Sequence, residues 1–165
     1  MQLDKLTIKA QEALQQAKRL AESHGHSEID PAHLVLALVR QPEGVVPPLL
    51  ERLGVSRDAL EQRLSALLEK KPKVSGAAAE RYLSADSRAL LDQAFTLADQ
   101  MTDEYVSGEH LFLAAITHGG SDLQRMAQEL GLSEKDALAA LQAVRGQQRV
   151  TDQNPEDKYQ ALEKY

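Results

Sequence analysis

Apolar residues at Ala10, Ala13, Leu14, Ala17, Leu20 and Ala21 recur at intervals of three and four, which puts them on one face of a helix from about Ile8 to Ser23. Thr7 stands where that helix needs an N-cap. Asp30 followed by Pro31 is a cap-then-first-turn signal for a second, strongly apolar helix, which Pro42 and Gly44 close. Pro47-Pro48 can start a short third helix ended by Gly54. Ser56 then caps a fourth, which carries Leu60, Leu64, Leu67 and Leu68 as far as the stop at Lys70-Lys71-Pro72.

Adding 77 to each residue number superposes the second half of the chain on the first without a gap from Leu6 to Leu67. Leu6, Leu14, Gln16, Ala17, Leu20, Ala21, His33, Leu34, Leu53, Gly54 and Ser56 recur as Leu83, Leu91, Gln93, Ala94, Leu97, Ala98, His110, Leu111, Leu130, Gly131 and Ser133. The period is too long for a common solenoid and two copies are too few for an array. The expected fold is therefore all-α: two four-helix repeats packed face to face about a pseudo-twofold axis, each burying its remaining apolar surface against the other. Repeat 1 spans about residues 3–70 and repeat 2 about 83–145, joined by a surface connector at 71–82 with Pro72, Gly76 and Ala77-Ala78-Ala79. After Arg145 the chain turns polar and aperiodic, and Asn154-Pro155-Glu156 opens a helical stretch whose Tyr159, Leu162 and Tyr165 have no partner in the repeats. Residues 146–165 are expected to be a linker towards an absent domain, mobile or docked through non-native contacts, and dispensable for stability.

Composition strengthens the helical reading, because Leu (26) and Ala (23) far outnumber Val (9), Ile (3) and Thr (5) among the 165 residues. No cysteine is present, which excludes disulfides, thiolate catalysis and thiolate-bound metals and suits a reducing, cytoplasmic setting. A net charge of −6 argues against nucleic acid or an anionic membrane as partner. The longest apolar run, Leu34 to Val39, is far too short to cross a bilayer, and the first residues lack a secretory signal pattern.

Catalytic patterns are missing. There is no Gly-Lys dipeptide, so a phosphate-cradling P-loop cannot form, and no ATPase activity is expected of this chain. Gly54-Val55-Ser56-Arg57-Asp58 is no nucleophile elbow; Ser56 and Ser133 are read as helix caps. His24, His26 and His33 form the one metal-like cluster, but on a glycine-containing loop, and no metal site is assigned. His33 and His110, third in their helices, are read as structural groups satisfying free backbone donors. Leu50 to Leu60 has the outline of a helix-turn-helix, yet its second helix presents a mixed or acidic face, which disfavours DNA. Asp103 precedes the sixth helix and Glu109 sits in its first turn. The first repeat has Ala32 at the latter position, so the fold does not demand an acid there. Without a long heptad seam, the chain is expected to be a monomer.

Leu3-Asp4-Lys5-Leu6-Thr7, Ile29-Asp30-Pro31-Ala32-His33-Leu34 and Tyr105-Val106-Ser107-Gly108-Glu109-His110-Leu111 resemble the double-repeat N-terminal domain of the Clp ATPases. The tail from Val150 to Tyr165 is similar to the linker that leads, in the family's disaggregase branch, into the first AAA+ module. The resemblance implies a non-enzymatic accessory domain of a stress-response chaperone, one that captures unfolded or aggregated polypeptide and passes it to an ATP-driven hexameric motor. ATP and Mg, the hexamer and a DnaK-type chaperone would belong to the full-length protein only. By motif, substrate contact falls on the polar residues Thr7, Asp103 and Glu109 and on Leu97 in an apolar groove whose neighbouring positions are Gln93 and His110. The alternative within the family is an adaptor-docking domain of the protease-associated ClpA or ClpC type.

Overall fold

A computed structural model describes residues 3–74, 81–146, 149–151, 153 and 155. After a single 3-10 turn at Leu3–Lys5, the first repeat runs α1 (Ile8–Ser23), β1 (Glu28–Ile29), α2 (Pro31–Arg40), α3 (Val46–Leu53) and α4 (Arg57–Glu69). The second runs β2 (Tyr82–Leu83), α5 (Ala85–Gln100), α6 (Gly108–His118), α7 (Ser121–Glu129) and α8 (Glu134–Arg145). The fold is all-α, with α5 beginning and ending 77 residues after α1. Thr7, Ser56, Ser84 and Ser133 each accept a hydrogen bond from the amide three residues on, satisfying first-turn donors that a helix cannot pair internally. Gly54 and Gly131 end α3 and α7 at φ of 70° and 74°, a left-handed conformation that costs glycine no side-chain clash.

The pseudo-twofold relation shows in backbone pairing. Leu83 pairs in parallel with Ile29, and Leu6 pairs in parallel with Val106. Leu83 is the repeat mate of Leu6 and Val106 that of Ile29, so the lead-in of each repeat adds itself to the loop before the central helix of the other. The central helices α2 and α6 are buried along nearly their whole length, and leucines 34, 36, 38, 111 and 113 join one continuous core with Phe112. The two repeats thus share one core.

One local difference between the copies has a testable cost. Gly25 after α1 has φ 70°, and its mate Thr102 after α5 has φ 55°. A β-branched residue is disfavoured there, and Thr102 is exposed. Thr102→Gly is expected to raise stability by about 0.5–1 kcal/mol, read as a higher urea midpoint at unchanged slope.

The described residues beyond α8 are docked against the repeats. The amide of Glu104 donates to the Val150 carbonyl at 2.7 Å, and the Ile8 amide donates to the Gln153 carbonyl at 3.0 Å. Arg149 Nη1 donates to the Met101 carbonyl at 2.7 Å, and Val150 is fully buried. Residues 149–151 and 153 thus strap the second repeat to the start of α1, and the folded unit runs past Arg145. One buried valine in a polar segment leaves no periodic trace, which is why the sequence pattern misses it. Tyr159, Leu162 and Tyr165 lie outside the described residues, as do Gly76 and Ala77 to Ala79 of the connector.

Candidate functional site

In the second repeat, the loop between α5 and α6 carries a buried polar cluster. Ser107 donates its backbone N–H to His110 Nδ1 at 2.9 Å, which makes Nδ1 an acceptor and leaves the ring proton on Nε2. That Nε2 lies 2.8 Å from Asp103 Oδ2 and donates to it. Asp103 Oδ1 accepts from Arg145 Nη2 at 2.6 Å and from the Val150 amide at 2.9 Å. Burial alone would raise the Asp103 carboxyl, but the bonds from His110, Arg145 and the Val150 backbone outweigh it and hold the group far below the usual carboxylate range. Glu109 is wholly buried beside it: Oε1 accepts from the Ser107 hydroxyl and lies 4.0 Å from Arg145 Nη1, while Oε2 has no hydrogen bond.

The first repeat fills the corresponding space with different chemistry. Asp103, Glu109 and Arg145 stand 77 residues after His26, Ala32 and Leu68. Asp30 donates its N–H to His33 Nδ1 at 2.9 Å, and His33 Nε2 is 2.8 Å from His26 Nδ1. His33 and His110 play the structural part expected of them. Among the described residues no group of three or more His, Asp or Glu side chains is arranged to hold a metal ion.

The residues to which the family pattern assigns substrate contact are brought together in part, but inside the molecule. Thr7 is fully buried, caps α1 through Ala10 at 3.1 Å and donates its N–H to Val106 at 2.9 Å, which joins the start of α1 to the loop holding Asp103. Asp103 and Glu109 share Arg145, and Leu97 is buried on α5. His110 is also enclosed, so of the two neighbouring groove positions only Gln93 reaches the half-buried zone.

An open groove of about 590 Å³ lies directly over this cluster, between the side of α5 and the loop before α6. Half-buried Phe95 and Tyr105 line it together with Ala98 and Val106, and Asp103 contributes to its floor. Exposed Asp92, Asp99, Glu104 and Lys5 also border it. Sequence reasoning missed Phe95 and Tyr105; the signal available was that Phe95 and Phe112 are the only two phenylalanines and Phe95 falls off the apolar stripe of α5.

A family model described as the Clp repeat (R) N-terminal domain matches residues 5–130. The chaperone protein ClpB of Nitratidesulfovibrio vulgaris is 44% identical over 169 residues, covering 100% of this chain and 20% of that protein. ClpB of Bacillus cereus is 40% identical over 168 residues, covering 100% of this chain and 19% of that protein. The chain thus spans about a fifth of the length of these relatives. The N-terminal domain of Hsp104 from Candida albicans superposes with a TM-score of 0.81 at 22% identity, covering 92% of this chain and 99% of that one. The N-terminal domain of the ClpV1 ATPase from E. coli EAEC superposes at 0.72 with 27% identity, covering 87% and 88%. The duplicated helices and their shared central pair, together with these matches, show that the chain belongs to the Clp repeat N-terminal domain family, as found at the N-terminal end of ClpB chaperones.

Proposed function

We propose that this domain captures unfolded or aggregated polypeptide in the groove between α5 and the loop before α6 and delivers it to the motor of a longer, ClpB-type disaggregase. The open aromatic groove carries this reading: Phe95 and Tyr105 offer faces that accept many apolar side chains, and a shallow site bordered by charges tolerates varied sequences. Thr7, Asp103, Glu109 and Leu97 contribute from beneath, by holding the groove wall in place. Weak binding suffices where a tether keeps the captured segment close to the motor. Nucleotide chemistry belongs elsewhere in the longer protein, since the glycine turns at Gly54 and Gly131 lead into Val55 and Leu132 with no lysine to meet a phosphate. The domain itself is proposed to be non-catalytic and monomeric, and to work in the cytoplasm.

Titration with a labelled, permanently unfolded protein tests this reading. Saturable binding that a second unfolded protein competes away supports it, and no binding up to millimolar domain overturns it. A second reading, docking of one defined adaptor segment, draws on a ClpV N-domain solved in complex with a VipB peptide. It requires strong discrimination among peptides, where capture of unfolded chains requires little.

A further inference from the structure

The His26–His33 pair is absent from the second repeat and plays no part in the groove. Its protons are fixed by a backbone group that can only donate. The Asp30 N–H occupies His33 Nδ1, so the His33 proton sits on Nε2 and is donated to His26 Nδ1. The His26 proton is thereby forced onto Nε2, which is buried near the Leu68 carbonyl without reaching hydrogen-bond geometry.

This arrangement has no room for another proton. A second proton on His33 would set its Nδ1–H against the Asp30 N–H. A second proton on His26 would set its Nδ1–H against the His33 Nε2–H.

The loop that carries His26 and leads into α2 also holds both described ends of the connector. Gly25 accepts the Val74 amide at 2.8 Å, the His26 carbonyl accepts Arg81 Nε at 3.0 Å, and Lys71 pairs with Asp30 at 2.8 Å. We infer that His26 and His33 form an acid-sensitive latch, closed while each ring carries one proton, which fastens the start of α2 and the inter-repeat connector and opens when either ring takes a second.

The titratable and charged neighbours are His24 at the end of α1, whose ring stacks on His26 with centres 5.4 Å apart, Asp30 before α2, Lys71 in the connector and Arg81 before β2. Burial is the main cause that brings His33 down to about 4, followed by His26, with Lys71 and His24 adding to it against Asp30. Burial, then His24 and Lys71, also lower His26. With the folded value below the ordinary 6.5, the open form binds more protons. The latch therefore weakens as pH falls from about 6.5 to about 4 and weakens no further below that.

Amide hydrogen exchange by NMR on the intact chain tests the latch without a substitution. The Asp30 amide is compared with the Ala10 amide, whose acceptor is the non-titrating Thr7 hydroxyl. The protection of Asp30 relative to Ala10 is expected to fall roughly a hundredfold between pH 7 and pH 4, and both rings should show the Nε2–H tautomer at pH 7. A constant ratio down to pH 4 would overturn the proposal, as would His26 and His33 titrating like free imidazoles while Asp30 stays protected.

Discussion

Asp103→Ala is expected to lower stability by about 3–5 kcal/mol, because it removes the carboxylate to which the buried guanidinium of Arg145 donates directly and leaves only Glu109, 4.0 Å away, to balance its charge. Three hydrogen bonds disappear together, and two of the three donors, His110 and Val150, are themselves fully buried. For a chain of this length the thermal midpoint should drop by roughly 10 °C or more. The first repeat indicates the remedy, since Leu68 stands where the second has Arg145. Adding Arg145→Leu and Glu109→Ala to Asp103→Ala, which removes all three charges as Leu68 and Ala32 do in the first repeat, should therefore recover a large part of the loss, whereas independent defects would add. Chemical denaturation of the single and triple variants reads both numbers. A loss below about 1 kcal/mol for Asp103→Ala would contradict the burial of this pair.

The same burial governs how binding data are to be read. Any variant at Thr7, Asp103 or Glu109 that weakens polypeptide binding is expected to weaken the fold as well, since all three side chains are enclosed. Phe95 and Tyr105 are the reverse case, being half-buried groove walls. Phe95→Asp combined with Tyr105→Ser should cost at least tenfold in affinity for an unfolded chain, equivalent to about 1.4 kcal/mol. Two truncated aromatic contacts with a new charge in an apolar site are ample for that loss. Fluorescence anisotropy gives the affinity, and a thermal melt within a few degrees of the parent confirms that the groove, not the fold, was altered. Unchanged affinity in a folded double variant would move the site off this groove.

Much of the architecture is legible in the chain because its punctuation is local. Thr7, Asp30-Pro31, Ser56 and Gly54 mark helix ends with side-chain or backbone chemistry that acts within three residues, and the 77-residue repeat then transfers those boundaries to the second half. The candidate site is harder to read because its partners are distant. Arg145 meets Asp103 across 42 residues, and no local pattern tells a buried charge from a solvated one. The repeat did hold a usable sign: against His26, Ala32 and Leu68, the second copy introduces Asp103, Glu109 and Arg145, two acids and one base at positions the first copy fills without a carboxylate or guanidinium. Charges that enter a duplicated core together point to one another. Val150 offered no such sign, since its counterpart 77 residues earlier is Lys73, an exposed charge.

Hydrogen–deuterium exchange of the intact chain, with and without a saturating unfolded protein, locates the bound polypeptide most directly. Slower exchange is expected to concentrate on residues 92–99 of α5 and on residues 103–106, with α3 and α4 unchanged. Protection confined to α1, α2, α3 or α4, with none at Phe95 and Tyr105, would contradict polypeptide capture at this site.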